Sequence, residues 1–174
     1  IATCEITVQT SPTEITLDKE NITLDLSGKE LSDGTSSEED KLDEPLGLYK
    51  QAKLNAQILP ETANVMTDLT WESSNPEIVT VDENGVIAGK SNGTAVITVK
   101  TENEITATCE VIVQTSPTEV TLNKNNIVLN AGEEIGEELI ATILPRTANV
   151  GTNLKWSTDN NEIVDLSTTT GTNI

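Results

Sequence analysis

Residues 69–99 read LTWESSNPEIVTVDENGVIAGKSNGTAVITV, and four β-strands are predicted within them. The first strand carries Trp71 and is followed by a short loop. The next two strands are joined through Asn84-Gly85, a pair that tolerates positive φ at both positions of a tight hairpin turn. A further turn at Asn92-Gly93 leads into the fourth strand. The other parts of the chain complete this unit or repeat it.

Two segments of the sequence return later in the chain. IATCEITVQTSPTEITL at residues 1–17 returns as TATCEVIVQTSPTEVTL at residues 106–122, an offset of 105. AQILPETANVMTDLTWESSNPEIVTV at residues 56–81 returns as ATILPRTANVGTNLKWSTDNNEIVDL at residues 141–166, an offset of 85. The difference between the offsets predicts an insertion of about 20 residues in the first copy and an underlying repeat of about 85 residues.

The composition predicts an all-β chain. Hydrophobic residues make up 35% of the sequence and are almost all Ile, Val, Leu and Ala, with no Phe, one Tyr and two Trp. β-branched residues interleaved with Thr favour pleated, half-buried strands. Apolar and polar residues alternate through residues 2–9, which is the period of a strand with one buried face. The first copy holds about seven to eight such strands, a spacing typical of a β-sandwich.

The offsets also predict the domain boundaries. Residues 1–11 match the last strand of a preceding copy, residues 12–114 form a complete domain with an acidic insertion at about 29–50, and residues 115–174 form a second domain that lacks its closing strands. The chain thus begins and ends inside repeats, and three explanations of this are open. The chain is a window of a longer repeat protein, or its leading strand completes the open domain of a neighbouring chain by strand addition, or that strand folds back onto the second copy within one chain.

The formal net charge of −19 argues against two classes of partner. Nucleic acid binding requires a basic footprint, and anionic lipid repels an acidic chain. No stretch reaches the length of a transmembrane helix, so no membrane insertion is expected in this segment. The sequence has no His and no Cys-x-x-Cys pair, which argues against a zinc site and against Ser-His or Cys-His catalysis. A protein that is not an enzyme is therefore predicted.

The run WESSNPEIVTV with the following NGVIA resembles the bacterial Ig-like group 2 (BIG2) domain. This repeat is found in intimin- and invasin-type adhesins, clostridial surface proteins and some phage virion proteins. The resemblance covers nearly the whole chain, but the second copy departs from it at residues 158–161, which read TDNN. It implies tandem Ig-like β-sandwich domains, a cell-surface or virion location and no catalytic residues. The positions that carry it are Trp71, Ser73, Ser74, Asn75, Pro76, Val81, Gly85, Gly93 and Ala95.

Four side chains are expected to lie in structural cores. Trp71 and Trp156 occupy the position at which the resemblance implies a Trp buried between two sheets. Cys4 and Cys109 occupy the same inward position of the closing strand, where Cys behaves as a small buried hydrophobe. A disulfide between them is not expected, because equivalent points of consecutive domains lie farther apart than the roughly 7 Å that bridged Cα atoms tolerate.

The insertion KELSDGTSSEEDKLDEPLGLYK is the one feature that does not follow the repeat. A solvated loop is the first expectation. A weak calcium site is a second hypothesis, because acidic residues crowd a short loop, although they lack the regular alternation of an EF-hand. A partner-contact loop is the third. The candidate ligands of calcium are Asp33, Glu38, Glu39 and Asp40, and the candidate partner contacts are Leu46, Leu48 and Tyr49.

The sequence therefore predicts a non-catalytic, extracellular spacer module of a bacterial surface protein or, as an alternative location, of a phage virion. Neighbouring Ig-like repeats are its expected partners, and no cofactor is expected beyond the calcium hypothesis. Two alternatives from other functional classes are kept. One is an adhesin module that recognises a host surface protein or glycan through the insertion, and the other is a strand-exchanged filament subunit.

Overall fold

The computed structural model describes residues 3–28, 50–130, 136–166 and 170–172, and these residues form strands and no α-helix. None of them therefore belongs to a helix that is long and apolar enough to cross a membrane. The chain divides into unit 1, from Ile1 to Gln114, and unit 2, from Thr115 to Ile174. The strands are β1 (Glu14–Leu17), β2 (Asn21–Asp25), β3 (Gln51–Lys53), β4 (Ala56–Leu59), β5 (Leu69–Ser73), β6 (Val79–Val81), β7 (Val86–Gly89), β8 (Gly93–Thr101), β9 (Thr106–Gln114), β10 (Glu119–Leu122), β11 (Ala141–Leu144), β12 (Asn153–Lys155) and β13 (Thr170–Thr172).

Unit 1 consists of two main sheets and a short strand pair. The larger sheet has the order β2-β9-β8-β5, in which β2 runs parallel to β9 and the other pairs are antiparallel. The second sheet has the order β3-β7-β6 and is antiparallel throughout. Strands β1 and β4 form a separate antiparallel pair. The prediction of an all-β chain is confirmed.

The core of unit 1 lies between the two main sheets. On β8 and β9, buried residues alternate with more exposed ones, and the antiparallel register sets Ala95 opposite Val111 and Ile97 opposite Cys109. Residues at alternate positions share one face of a strand, so these four side chains point into the core together. From the facing sheet and its connections come Leu54, Val79 and Ile87. Each fully buried Ile, Leu or Val contributes roughly 1.5–3 kcal/mol to the stability of the unit.

Two buried polar residues of unit 1 have their hydrogen bonds satisfied. Asp25 accepts hydrogen bonds from the backbone N–H and the hydroxyl of Ser27, at 2.9 and 2.5 Å. The hydroxyl of Thr101 donates to Asn103 Oδ1 at 2.7 Å and accepts from Ile105 N–H at 3.1 Å. Among the described residues, no buried side-chain nitrogen or oxygen lacks a hydrogen-bond partner. The core therefore carries no polar group that calls for a ligand.

Unit 2 repeats part of this plan. Strands β10 and β11 pair in the register of β1 and β4, so that Val120 lies opposite Ile143 as Ile15 lies opposite Ile58. Strand β12 pairs antiparallel with β13. By the offset of 105, residues 126–130 are equivalent to β2, but they form no strand in the structure.

The leading segment differs from the expectation. Residues 3–12 form no strand, and Cys4, Ile6 and Val8, which the alternating pattern assigns to a buried face, are exposed. The physical reason is the absence of a pairing partner, because a strand is stabilised by a neighbouring backbone and an apolar face is buried only against another layer. Cys4 is thus not a core residue here.

Candidate functional site

The hairpin between β6 and β7 is built on Asp82 and Gly85 and differs from the predicted turn. Gly85 has a φ of +77°, but the described non-glycine residues with positive φ are Met66 and Glu104, so Asn84 does not adopt it. The N–H of Gly85 donates to Asp82 O at 3.2 Å, and Asp82 Oδ1 accepts from the N–H groups of Asn84 and Val86 at 2.9 and 2.8 Å. This is a three-residue loop that ends in a left-handed glycine, a common alternative to the two-residue turn.

Gly85 also makes room for Trp71. A Cβ atom at residue 85 would lie 2.6 Å from Leu54 O and 2.8 Å from Trp71 Cζ2. The N–H of Leu54 donates to Gly85 O at 2.9 Å, which holds the turn against that strand connection. Trp71 is half-buried and packs against the core cluster of unit 1, and Trp156 is half-buried at the end of β12. Both indoles therefore lie at the edge of their unit rather than in its centre.

The loop after β5 keeps its hydrogen bonds in both copies despite different residues. In unit 1, Asn75 Oδ1 accepts from Glu77 N–H at 3.1 Å, and Asn75 O accepts from Val79 N–H at 3.1 Å. In unit 2, Asn160 Oδ1 accepts from Glu162 N–H at 3.0 Å and Asn160 O from Val164 N–H at 3.2 Å. The Asn side chain imitates a backbone turn, so the substitution of the neighbouring Ser and Pro leaves the loop intact.

Gly93 packs closely against Ile78, which follows the same loop. Its φ is +149°, and a Cβ atom there would lie 2.7 Å from Ile78 Cδ1. The residue begins β8, so the close contact sets the point at which the strand enters the core. A residue with a side chain at position 93 would displace Ile78.

Cys109 and Cys4 are both free thiols with different surroundings. Burial, followed by the negative charge of Asp18, raises the pKa of the Cys109 thiol from 9.0 to about 11. Its Sγ lies 3.7 Å from Glu110 O and donates a weak hydrogen bond to it. Such a thiol stays protonated near neutral pH and is a poor nucleophile. Cys109 therefore fills space in the core.

Asp18 ties the turn after β1 to the strand connection at Asn55. Its carboxylate accepts hydrogen bonds from Asn55 N–H and Asn55 Nδ2, both at 2.9 Å, and from Lys19 Nζ at 2.5 Å. Burial would raise the pKa of Asp18, but the hydrogen bonds from Lys19 and Asn55 together outweigh it and hold this pKa below 3.8. The equivalent Asn123 Oδ1 accepts from Ile140 N–H at 2.8 Å. The turn is thus structural in both copies.

The calcium and partner hypotheses for the insertion concern Asp33, Glu38, Glu39, Asp40, Leu46, Leu48 and Tyr49, all of which lie outside the described residues. In the part of the chain that the structure describes, no group of three or more His, Cys, Asp or Glu residues could hold a metal ion.

A pair of asparagines, which sequence reasoning did not single out, holds the segments that lead into the two units. Asn64 Oδ1 accepts from Thr10 N–H at 2.8 Å, Asn64 N–H donates to Thr10 O at 2.9 Å, and Asn64 Nδ2 donates to Val8 O at 3.0 Å. In unit 2, Asn149 Oδ1 accepts from Thr115 N–H at 2.8 Å and Asn149 N–H donates to Thr115 O at 3.0 Å. We call Asn64 and Asn149 the junction clamps.

Each clamp is positioned by the turn before it. Ala63 N–H donates to Pro60 O at 2.9 Å, and Ala148 N–H donates to Pro145 O at 3.0 Å, so the same tight turn presents each Asn to the incoming chain. The sequence does carry a signal for these asparagines. The segment L-P-x-T-A-N-V occurs in both copies and differs between them only at the x position. Its apolar residues alone do not indicate a role for the asparagine.

Further hydrogen bonds hold the segment that precedes β1. Asn103 Nδ2 donates to Pro12 O at 2.8 Å, and Thr13 N–H donates to Leu59 O at 2.8 Å. In unit 2, Thr118 N–H donates to Leu144 O at 2.8 Å. The backbone of each segment is therefore bonded to its own unit at more than one residue.

Part of unit 1 matches a known protein family. Residues 49–111 match the family described as bacterial Ig-like domain, group 2 (Big_2). Among curated proteins, none matches the sequence.

The chain is also similar to parts of three solved structures. An intimin mutant of EHEC O157:H7 is 22% identical over 42% of this chain and 36% of that chain, with a TM-score of 0.32. The S-layer protein rSbsC(31-844) is 25% identical over 69% of this chain and 17% of that chain, with a TM-score of 0.40. Domains 4–9 of SbsC are 15% identical over 86% of this chain and 23% of that chain, with a TM-score of 0.41. This chain spans less than two-fifths of the length of each.

Proposed function

Because residues 49–111 carry a bacterial Ig-like domain of group 2, we propose that the chain is a non-catalytic spacer module of a bacterial surface protein. Its tandem units extend the protein and restrict its bending at the junctions. The family, the internal repeat and the all-β fold support this proposal. The location outside the cell follows from the same family relationship and is part of the proposal.

The observation that carries the spacer role is the repeated junction clamp. Residue 114 is the last residue of β9, and the backbone of Thr115 is bonded to Asn149 on both its N–H and its carbonyl. Thr115, which directly follows β9, is therefore held to unit 2 through its backbone. A module whose purpose is reach gains from this restriction, because a flexible linker shortens the mean distance between its ends.

The substitution Asn149→Ala tests the spacer role. It removes the acceptor of Thr115 N–H and costs unit 2 about 1–2 kcal/mol, and we expect the orientation of unit 1 relative to unit 2 to become more variable. The measurement is the alignment of each unit in a weakly oriented medium, by NMR dipolar couplings. One alignment tensor is expected for the natural chain and two different tensors for the variant.

The matched control is Asn161→Ala, at an exposed position of the same unit. It should leave the common tensor unchanged. Two independent tensors in the natural chain would contradict the spacer role, whatever the variants do.

An adhesin in the strict sense would need a ligand surface as well. The sequence suggests such a surface at the insertion, residues 29–50. Residues 29–49 of this insertion lie outside the described residues.

A further inference from the structure

The chain enters and leaves unit 1 at opposite ends of strand β9. On the incoming side, Pro12 O accepts a hydrogen bond at 2.8 Å from Asn103 Nδ2, and Asn103 lies in the turn that leads into β9. On the outgoing side, the unit ends at Gln114, the last residue of that strand. The nine residues of β9 span about 27 Å. A pull on the chain from both sides of unit 1 is therefore directed along β9.

Strand β2 is the first strand of the two main sheets that such a pull reaches. It lies at the edge of the larger sheet and runs parallel to β9. Because both strands run in the same direction, the start of β2 and the end of β9 lie at opposite ends of the pair. The incoming chain pulls on the start of β2, and the outgoing chain pulls on the end of β9. The two strands are thus pulled past each other along their length, which is shear.

The hydrogen bonds between β2 and β9 lie across the direction of this pull. The register pairs the five residues of β2 with Glu110–Gln114. One more bond lies at each end of the ladder, where Glu110 N–H donates to Glu20 O at 2.9 Å and Leu26 N–H donates to Gln114 O at 2.8 Å. Since the bonds of a parallel pair are evenly spaced, a shearing force is shared along the whole ladder.

Buried side chains oppose the same movement. Ile22 and Leu24 of β2 are 4% and 1% exposed, and they lie in one core cluster with Val111 and Val113 of β9. Side chains alternate between the faces of a strand, so a shift of β2 by one residue against β9 cannot keep both apolar sets in the core. Sliding therefore breaks the hydrogen bonds and the packing together.

We propose that β2 and β9, which we call the shear pair, make unit 1 resist a force along the chain far more strongly than a force that peels its strands apart. This proposal rests on the spacer role, because a spacer that holds part of a protein away from a cell is pulled along its length. It adds a load-bearing function to one strand pair of unit 1. The β1–β4 pair precedes the shear pair in the path of the force, so it is expected to release first.

Single-molecule force spectroscopy with two pairs of attachment points tests the dependence on direction. In the first geometry, handles are bound to the exposed thiol of Cys4 and to the thiol of a Glu119→Cys variant, so the force follows the chain through unit 1. In the second, a Cys4→Ala chain carries Lys90→Cys and Glu119→Cys, both at exposed positions. Lys90 shortly precedes Gly93, which lies opposite Val113. The second pull therefore peels β8 from β9, starting at one end.

We expect unit 1 to unfold at a several-fold higher force in the first geometry than in the second, at the same pulling rate. Forced unfolding depends on the rate of unfolding. The first pull must break the bonds of the shear pair together, whereas the second breaks the bonds between β8 and β9 in turn. Cys109 is buried and does not compete for the handles.

The variant Glu110→Pro tests the shear pair itself. It removes the N–H group that donates to Glu20 O, and the side chain it replaces is exposed, so the core keeps its residues. The unfolding force should fall in the first geometry and change little in the second, whereas a general loss of stability would lower both. Thr23→Pro is the matched control. Its N–H points away from β9 by the alternation of a parallel pair, towards the sheet edge where proline is tolerated.

Equal unfolding forces in the two geometries would overturn the proposal, as would a Glu110→Pro variant that lowers both forces by the same factor. If far-UV circular dichroism shows that Glu110→Pro does not fold, Leu26→Pro replaces it and removes the N–H at the other end of the ladder. The dipolar couplings that test the spacer role are independent of these forces. One common tensor with equal forces rejects the shear pair alone, and two tensors with unequal forces reject the spacer role alone.

Discussion

Two cysteines in nearly identical sequence contexts show how surroundings set the properties of a residue. Cys109 lies on β9 opposite Ile97 of β8 and is fully buried, and Cys4 is exposed on a segment without a strand partner. The local sequences ATCEV and ATCEI differ only at the last residue, which is Val111 in one and Ile6 in the other. The burial of the thiol therefore depends on whether the neighbouring strands are present, and at Cys109 this burial raises the pKa of the thiol.

The raised pKa of Cys109 makes the stability of unit 1 depend on pH. The folded unit keeps the thiol proton to a pH of about 11, whereas an exposed thiol releases it near 9.0. This contribution to the free energy of unfolding is complete below pH 9 and is lost as the pH rises from 9 towards 11. In urea titrations followed by Trp fluorescence, Cys109→Ala should show a smaller fall over this range than the natural chain.

Cys4→Ala is the control for that measurement and should behave as the natural chain does. Other groups titrate in the same range, so the comparison between the two alanine variants carries the conclusion. Equal slopes for both variants would show that Cys109 does not retain its proton.

At the scale of the element, the hairpin between β6 and β7 depends on its last loop residue. Gly85 occupies the left-handed region and contacts both Leu54 and Trp71, while Asn84 keeps an ordinary backbone conformation. The Asp82 carboxylate accepts the two backbone hydrogen bonds that close the loop. The turn thus needs one residue with a positive φ, whereas the predicted two-residue turn would need two.

Gly85→Ala should destabilise unit 1 by roughly 2–4 kcal/mol, because a left-handed φ and a close backbone contact both oppose a Cβ atom. Asn84→Ala in the same loop should cost less than about 0.5 kcal/mol, since its side chain is exposed and its φ suits any residue. Urea unfolding in a Trp156→Phe background reports unit 1 through Trp71. A large loss for Asn84→Ala would support the two-residue turn that the sequence predicts.

At the scale of the whole molecule, charge is the dominant feature. Twenty-nine acidic and ten basic residues give a net charge of −19. Ion pairs between described residues, such as Lys100 with Glu104 at 3.0 Å, are exposed or half-exposed. Exposed pairs contribute little to stability. The remaining carboxylates repel one another, which keeps the chain soluble and opposes its compact state.

We expect stability to rise with salt. Raising NaCl from about 10 mM to about 150 mM shortens the screening length from about 30 to about 8 Å, and the free energy of unfolding should increase by on the order of 1 kcal/mol. Urea titrations at the two concentrations measure this. The double variant Glu83→Lys, Glu102→Lys replaces exposed acids and should be less sensitive to salt. A fall in stability with added salt would show that ion pairs outweigh the repulsion.

The sequence alone determined the fold class, the repeat and most strand positions. These features are local, because alternation, turn residues and self-similarity can be read within short windows. The family match at residues 49–111 confirms the Ig-like assignment that the run from Trp71 predicts. The domain boundaries that the repeat predicts stay predictions, as do the roles suggested for the insertion.

Only the tertiary structure decided which residues pair across long distances. The parallel contact of β2 with β9, the clamps at Asn64 and Asn149 and the exposure of Cys4 each join or separate residues that are far apart in the chain. An alternating segment becomes a strand only if another backbone receives its hydrogen bonds, and residues 3–9 have no such partner within the described chain. Local pattern specifies what a segment can form, and its neighbours determine whether it does.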